Sequence, residues 1–226
     1  MDIFRSLSYP NFRLQVIGQA ISLLGTWMQR VAISWLVYEM TGSVFWLGFV
    51  QFISLLPSLL LSPFIGSFVD RHKKYKLVFV TQVGLMIQAG LLTLVVGLHW
   101  ESVFLLSLLG FIQGIINAFD VLGRQSLLVS LVGNKKDLPN AIALNSSIFN
   151  AARMVGPAIG GILLTAYGEF VCFAINFISF IPVIICLMLM NVVEDRSKLN
   201  KESNWIGLLE AFSYLRSSPH IASPII

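Results

Sequence analysis

Six apolar runs, each long enough to cross a bilayer, constrain this chain more than any other feature. They extend roughly from Phe12 to Tyr38, Val44 to Val69, Leu77 to Leu98, Val103 to Val121, Ala141 to Tyr167 and Phe170 to Val192. A hydrocarbon core of about 30 Å takes about 20 helical residues to span. Lipid offers no partner to a free backbone amide, so each run must satisfy its own hydrogen bonds as helix. Only 12% of the residues are charged and 56% are hydrophobic, and the mean hydropathy is +0.81. A soluble domain carries about twice that charge. The expected fold class is therefore an all-α membrane protein, a six-transmembrane-helix bundle over residues 1–192 with the lipid bilayer as its first partner.

The connections alternate in charge. Arg5 and Arg13, then Arg71, Lys73, Lys74 and Lys76, then Arg124, Lys135 and Lys136, then Arg196, Lys198, Lys201 and Arg216 fall on one side; the other side has Glu39, Glu101 and Glu169 and no Lys or Arg. The positive-inside rule places both termini in the cytoplasm. The sequence pI of about 9.2 then reports topology, and no basic-aromatic surface suggests nucleic acid as a partner. The N-terminus has no charged, apolar and small-residue pattern of a cleavable leader, so the first helix is expected to direct insertion. Cys172 and Cys186 fall in one helix about 21 Å apart along its axis, too far to pair.

After Val192 the chain turns polar and mixed in charge through Glu194, Asp195, Arg196, Lys198, Lys201 and Glu202. Residues 193–226 read as a cytoplasmic central loop. Within it Trp205, Leu208, Leu209, Phe212 and Leu215 make one apolar stripe of a surface helix, and the apolar tail ending at Ile226 looks like the start of a seventh helix cut short.

Polar residues inside the spans carry the functional signal. The first helix has Gln15, Gln19, Ser22, Thr26 and Gln29 in a helical repeat with Arg30 beside them; the second has Gln51, Ser54, Ser58 and Ser62; the fourth has Gln113, Asn117, Asp120 and Arg124; the fifth has Ser146, Asn150 and Arg153. The third and sixth carry fewer, chiefly Gln82, Gln88 and Asn176, as peripheral helices would. Such residues either hydrogen-bond between helices, at about 0.6 kcal/mol each, or line a water-filled cavity that marks a substrate or ion path. The cavity reading assigns Gln19, Gln29, Arg30, Asn117, Asn150 and Arg153 to its wall. Arg30 and Arg153 have no acidic residue at similar depth, and an unpaired Arg in a membrane costs at least about 2.5 kcal/mol. Water, an anionic substrate or an acid from elsewhere would balance them. Asp120 and Arg124 form either a local i, i+4 pair or part of a charge cluster with Asp70 and Arg71. No acid falls at the middle of a span. The histidines, His72, His99 and His220, lie at loops or ends, and there is no His-Glu-x-x-His helix, so neither metal nor cofactor is expected and an enzyme is disfavoured.

The loop Gly66-Ser-Phe-Val-Asp70-Arg71-His-Lys73-Lys74 resembles the signature between the second and third helices of the major facilitator superfamily, with matches at Gly66, Asp70, Arg71 and Lys74 and a departure at Lys73, where the family has glycine. The fifth-helix run Gly156-Pro157-Ala-Ile-Gly160-Gly161 is similar to the motif of the exporting, antiporter branch, although Ala152 replaces one upstream glycine. With Gly25-Thr-Trp-Met-Gln29-Arg30, Arg124-Gln125 and Asp137-Leu-Pro-Asn-Ala141, residues 1–192 resemble the bacterial drug and siderophore exporters. The resemblance implies half of a twelve-helix carrier of the inner membrane, proton-coupled efflux of a small-molecule substrate by alternating access, a cytoplasmic gate at Asp70, Arg71, Asp120 and Arg124, and a C-terminal six-helix half as partner. The alternative reading is a truncated, non-transporting six-helix fragment or scaffold.

Overall fold

The computed structural model describes residues 5–192. The expected surface helix and seventh-helix start lie outside the described residues. Six α-helices follow in order: α1 (Pro10–Thr41), α2 (Val44–Arg71), α3 (Lys74–Gly97), α4 (Val103–Leu131), α5 (Leu138–Tyr167) and α6 (Glu169–Leu189), with 3-10 turns at Arg5–Ser8 and Lys135–Asp137. All six are long and apolar enough to cross a membrane.

Five helices begin and end within a few residues of the expected runs. The exception is α4, which continues ten residues past Val121, about 15 Å of additional helix. The apolar run stops at Val121, but Asp120 neutralises Arg124 from one turn back, so the charge does not end the helix. Pro57, Pro63, Pro157 and Pro182 all sit inside continuous helices. The α1 helix starts on Pro10, where a missing N–H costs nothing, and stops at Gly42, whose φ of 60° needs no Cβ to be avoided.

The packing partners follow a swapped pattern. Helix α1 packs on α5 and α6, α4 packs on α2 and α3, and α3 meets α6. Exchanging α1, α2 and α3 for α4, α5 and α6 leaves that list of contacts unchanged. Since α1 and α4 enter the bilayer from opposite ends, these are two three-helix repeats of inverted topology, as in each half of a major facilitator fold.

Small residues set the close contacts. A Cβ at Gly25 would stand 2.6 Å from Asn176 Oδ1 on α6, one at Gly156 2.6 Å from the Trp27 Cβ, and one at Gly160 3.1 Å from the Met28 Cα. Gly156 and Gly160 thus let α5 lie against α1. Gly161, next to Gly160 in the same motif, has open space around it, because one residue further on the helix points about 100° away.

Polar atoms tie the bundle inside. Asn176 Nδ2 donates to Gln29 Oε1 at 2.6 Å, Gln29 Nε2 to Gln88 Oε1 at 3.4 Å, and Gln88 Nε2 to the Leu109 carbonyl at 3.4 Å. This chain joins α6, α1, α3 and α4. The third and sixth helices are therefore not polar-poor bystanders, because their few amides are among the most deeply buried polar side chains.

At the end of the bundle that carries Lys73 and Lys74, the leading turn is strapped to the α4–α5 connection. Arg5 Nε lies 2.9 Å from Asp137 Oδ1, the Tyr9 hydroxyl donates to Asp137 Oδ2 at 2.8 Å, and the Ser6 amide donates to Asn140 Oδ1 at 3.1 Å. The hydrogen bond to Asp137, with lesser help from burial and from the carboxylate's charge, holds the Tyr9 phenol above its ordinary pKa of 10.0.

Candidate functional site

The wet faces of α1, α4 and α5 meet around a cavity of about 340 Å³. Helix α1 contributes Gln19, Ser22, Thr26, Trp27 and Arg30 at i, i+3, i+4 spacing, which is one face of a helix. Helix α4 supplies Gln113, Asn117, Asp120, Arg124 and Gln125, and α5 supplies Asn145, Ser146, Phe149 and Asn150. Gln82, Leu85 and Phe180 close the wall from α3 and α6. The side-chain oxygens of Gln19 and Gln82 are buried without a protein hydrogen-bond partner, two unsatisfied polar atoms in the cavity wall.

Four of the six expected wall residues are there: Gln19, Arg30, Asn117 and Asn150. Gln29 is not. It is fully buried among Gln88 and Asn176, because the stripe on α1 is wider than the cavity and its edge turns into the α1–α3–α6 interface. Arg153 is also absent from the wall of this cavity; it is exposed on α5, with its guanidinium carbon 5.9 Å from the Trp27 ring centroid.

Trp27 is the residue that sequence reasoning passed over. Arg30 lies over its ring at 4.6 Å and Phe149 meets its edge at 6.0 Å. A cation above an indole face is attracted by the ring quadrupole, so the ring holds Arg30 without neutralising it. An aromatic three residues before an intramembrane Arg was the available signal, since such a pair shares a helix face. Arg30 also borders two further spaces. One, small, lies among Gln51, Ser54, Ser58 and Gln113; the other, about 530 Å³ and more open, is lined by Trp35, Tyr38, Gln51, Pro157 and Leu164. Arg30 is thus the seam between the polar cavity and the opposite end of the bundle.

Asp120 and Arg124 form a buried pair at 2.8 Å, more than the exposed i, i+4 contact that spacing alone suggests. Thr81 Oγ1 and Gln82 Nε2 both donate to Asp120 Oδ1 at 2.8 Å. The carboxylate thus binds α3 to α4 with a donor on each of its oxygens. Asp70 and Arg71 are exposed at the end of α2. Asp70 takes part in none of the ion pairs formed among the described residues. The two sets are close in height, since Val69 shares an apolar cluster with Ala118 and Phe68 meets Phe119 ring to edge at 5.3 Å. Lys74 opens α3. Gly66 has no atom within 4 Å of where a Cβ would sit, so nothing in this conformation demands glycine there.

A family profile described as transmembrane secretion effector matches residues 3–226. The staphyloferrin A transporter of Staphylococcus aureus is 30% identical over 181 residues, which cover 77% of this chain and 45% of that protein. Macrolide efflux protein A of Streptococcus pyogenes is 26% identical over 70% of this chain and 40% of its own. The crystal structure of a bacterial homologue of the iron transporter ferroportin in an outward-facing state superposes with a TM-score of 0.55, at 20% identity, over 78% of this chain and 48% of that one. The chain spans about half the length of the curated relatives it matches. Those relatives are transport proteins rather than enzymes, and their likeness, with the six apolar helices, makes this a multi-pass membrane protein. The chain belongs to the transmembrane secretion effector family of the major facilitator superfamily, and its six helices are one half of that fold.

Proposed function

We propose that residues 1–192 form the N-terminal half of a secondary carrier of the bacterial inner membrane, with both termini cytoplasmic, which exports a small molecule by alternating access together with a second six-helix half. The observation that carries this reading is the polar cavity between two inverted three-helix repeats. Lipid would penalise such a wall, and a rocking carrier needs one at the interface of its repeats. Gln19, Arg30, Asn117 and Asn150 contact the substrate, and Arg153 joins them from the exposed face of α5. Gly156 and Gly160 hold α5 against α1, beside the substrate space, with Pro157 on the same motif, while Gly161 faces open space.

At the basic end, Asp70, Arg71 and Lys74 gate the cavity against the α4 charges Asp120 and Arg124. A pair already buried and satisfied is a stable half of such a gate, and the exposed Asp70 is the half that moves. Proton uptake drives the cycle, as the export-type fifth helix suggests. Asp120 is the carboxylate lining the cavity among the described residues, and Thr81, Gln82 and Arg124 occupy its oxygens, so the coupling acid belongs to the second half.

The test begins with the mass of the native product, tagged at its N-terminus and purified from its own membranes. A product about twice as long as 226 residues supports the two-half carrier. A product of 226 residues that shows no efflux in cells, alone or as a dimer, would favour the scaffold reading. In the active protein, Asp70→Asn should stop efflux with normal insertion, and unchanged efflux would remove Asp70 from the gate.

A further inference from the structure

We propose that Arg30, Trp27 and Arg153 form a recognition site for an organic anion bearing two or more carboxylates, an inference that rests on the carrier reading and names the substrate class of its cavity. Both guanidiniums approach one indole ring, at 4.6 and 5.9 Å. Neither is in an ion pair among the described residues, and neither donates a hydrogen bond there. The charges of Asp120 and Arg124 cancel each other at 2.8 Å, and the rest of the polar wall is amide and hydroxyl. The lining charge that is left over is positive.

Two like charges beside one ring repel, and Arg30, the more buried of the two, has no acid to balance it among the described residues. A dianion relieves both costs at once. Guanidinium recognises carboxylate through two parallel N–H donors, with more geometric demand than a point charge. The indole close to both cations, with Phe149 packed against it, adds an apolar surface for the organic body that carries the acids. A cationic substrate meets the opposite arrangement.

The test uses the native-length protein in phosphatidylcholine nanodiscs and two dyes on one ring system, the anion 5-carboxyfluorescein and the cation rhodamine 6G, followed by fluorescence polarisation. The wild type should bind the anion in preference, more weakly as salt rises. Arg30→Gln and Arg153→Gln should each weaken it about tenfold or more, the scale of one charged hydrogen-bonding partner, while Arg153→Lys loses less. Because neither cation is in an ion pair among the described residues, Arg153→Gln should melt no lower than the wild type, and Arg30→Gln should lose no more than its contact with the Trp27 ring. No binding of the anion by the wild type, preference for the cation, equal binding of the anion in both Gln variants, or a clear loss of melting temperature in both would each overturn the site. Counterflow in proteoliposomes separates the two readings. Anion binding without transport counts against the carrier alone, whereas transport of rhodamine 6G without anion binding sinks the anion site and leaves the carrier standing.

Discussion

Asp120 shows how one side chain can hold two helices and a charge at once. Removing its charge strands Arg124, itself buried, and an amide in its place puts an NH2 donor where one oxygen accepts from Thr81, Gln82 or Arg124. Asp120→Asn should therefore lower stability by about 3 kcal/mol, and adding Arg124→Gln should recover much of that loss, because breaking a buried pair costs more than deleting it. Denaturation in mild detergent measures both; additive losses would mean that the pair is not coupled. Tyr9 offers a titration. Its pKa is raised in the fold, so the neutral phenol is the bonded form, and its contribution is present below pH 10 and lost as pH rises through the folded value. The stability difference between wild type and Tyr9→Phe should hold from pH 7 to 9 and shrink above 10. A difference that grows with alkaline pH would mean that Tyr9 does not donate to Asp137.

At the scale of helices, glycines distinguish contact from signature. Ala at Gly156 drives a methyl against Trp27, and overpacking of this kind costs about 1–3 kcal/mol. Ala at Gly161 meets nothing and should be neutral or slightly stabilising, since Ala is the better helix former. Thermal melting of the two variants should separate them; equal effects would contradict the α1–α5 contact. Gly66→Ala extends the logic. It should leave melting unchanged, so that any loss of efflux reports a different conformation in which α2 approaches a neighbour closely. The run of α4 past Val121 belongs to the same scale: the apolar run stops short of Arg124, whereas the folded helix keeps that paired residue inside and ends at Leu131.

For the whole molecule, topology is the testable claim. Lys73→Cys and Trp100→Cys lie in connections at opposite ends, so an impermeant maleimide added outside intact cells should label the second and not the first. The reverse result would invert the orientation taken from the positive loops. The swapped helix pairing was not visible in the chain, because inverted repeats share geometry here without sharing a readable motif. The number of helices was visible, because spanning lipid leaves a hydrophobic run of this length few other solutions.

Apolar length and loop charge alone determined that six helices cross a membrane, and the expected orientation rests on them too, since each depends on transfer free energies that act residue by residue. The polar stripes on α1, α4 and α5 were equally legible as stripes. Which of their members face the cavity was decided by tertiary structure. Gln19 and Gln29 are the same residue type on the same helix, ten positions apart, yet one lines the cavity and the other is sealed against Gln88 and Asn176. A helix presents its faces by periodicity, but only the rotation and crossing of its neighbours determine what each face meets. Trp27 shows the same division: its place near Arg30 on α1 is in the sequence, and its approach to Arg153 depends on α5 lying close, which Gly156 and Gly160 permit.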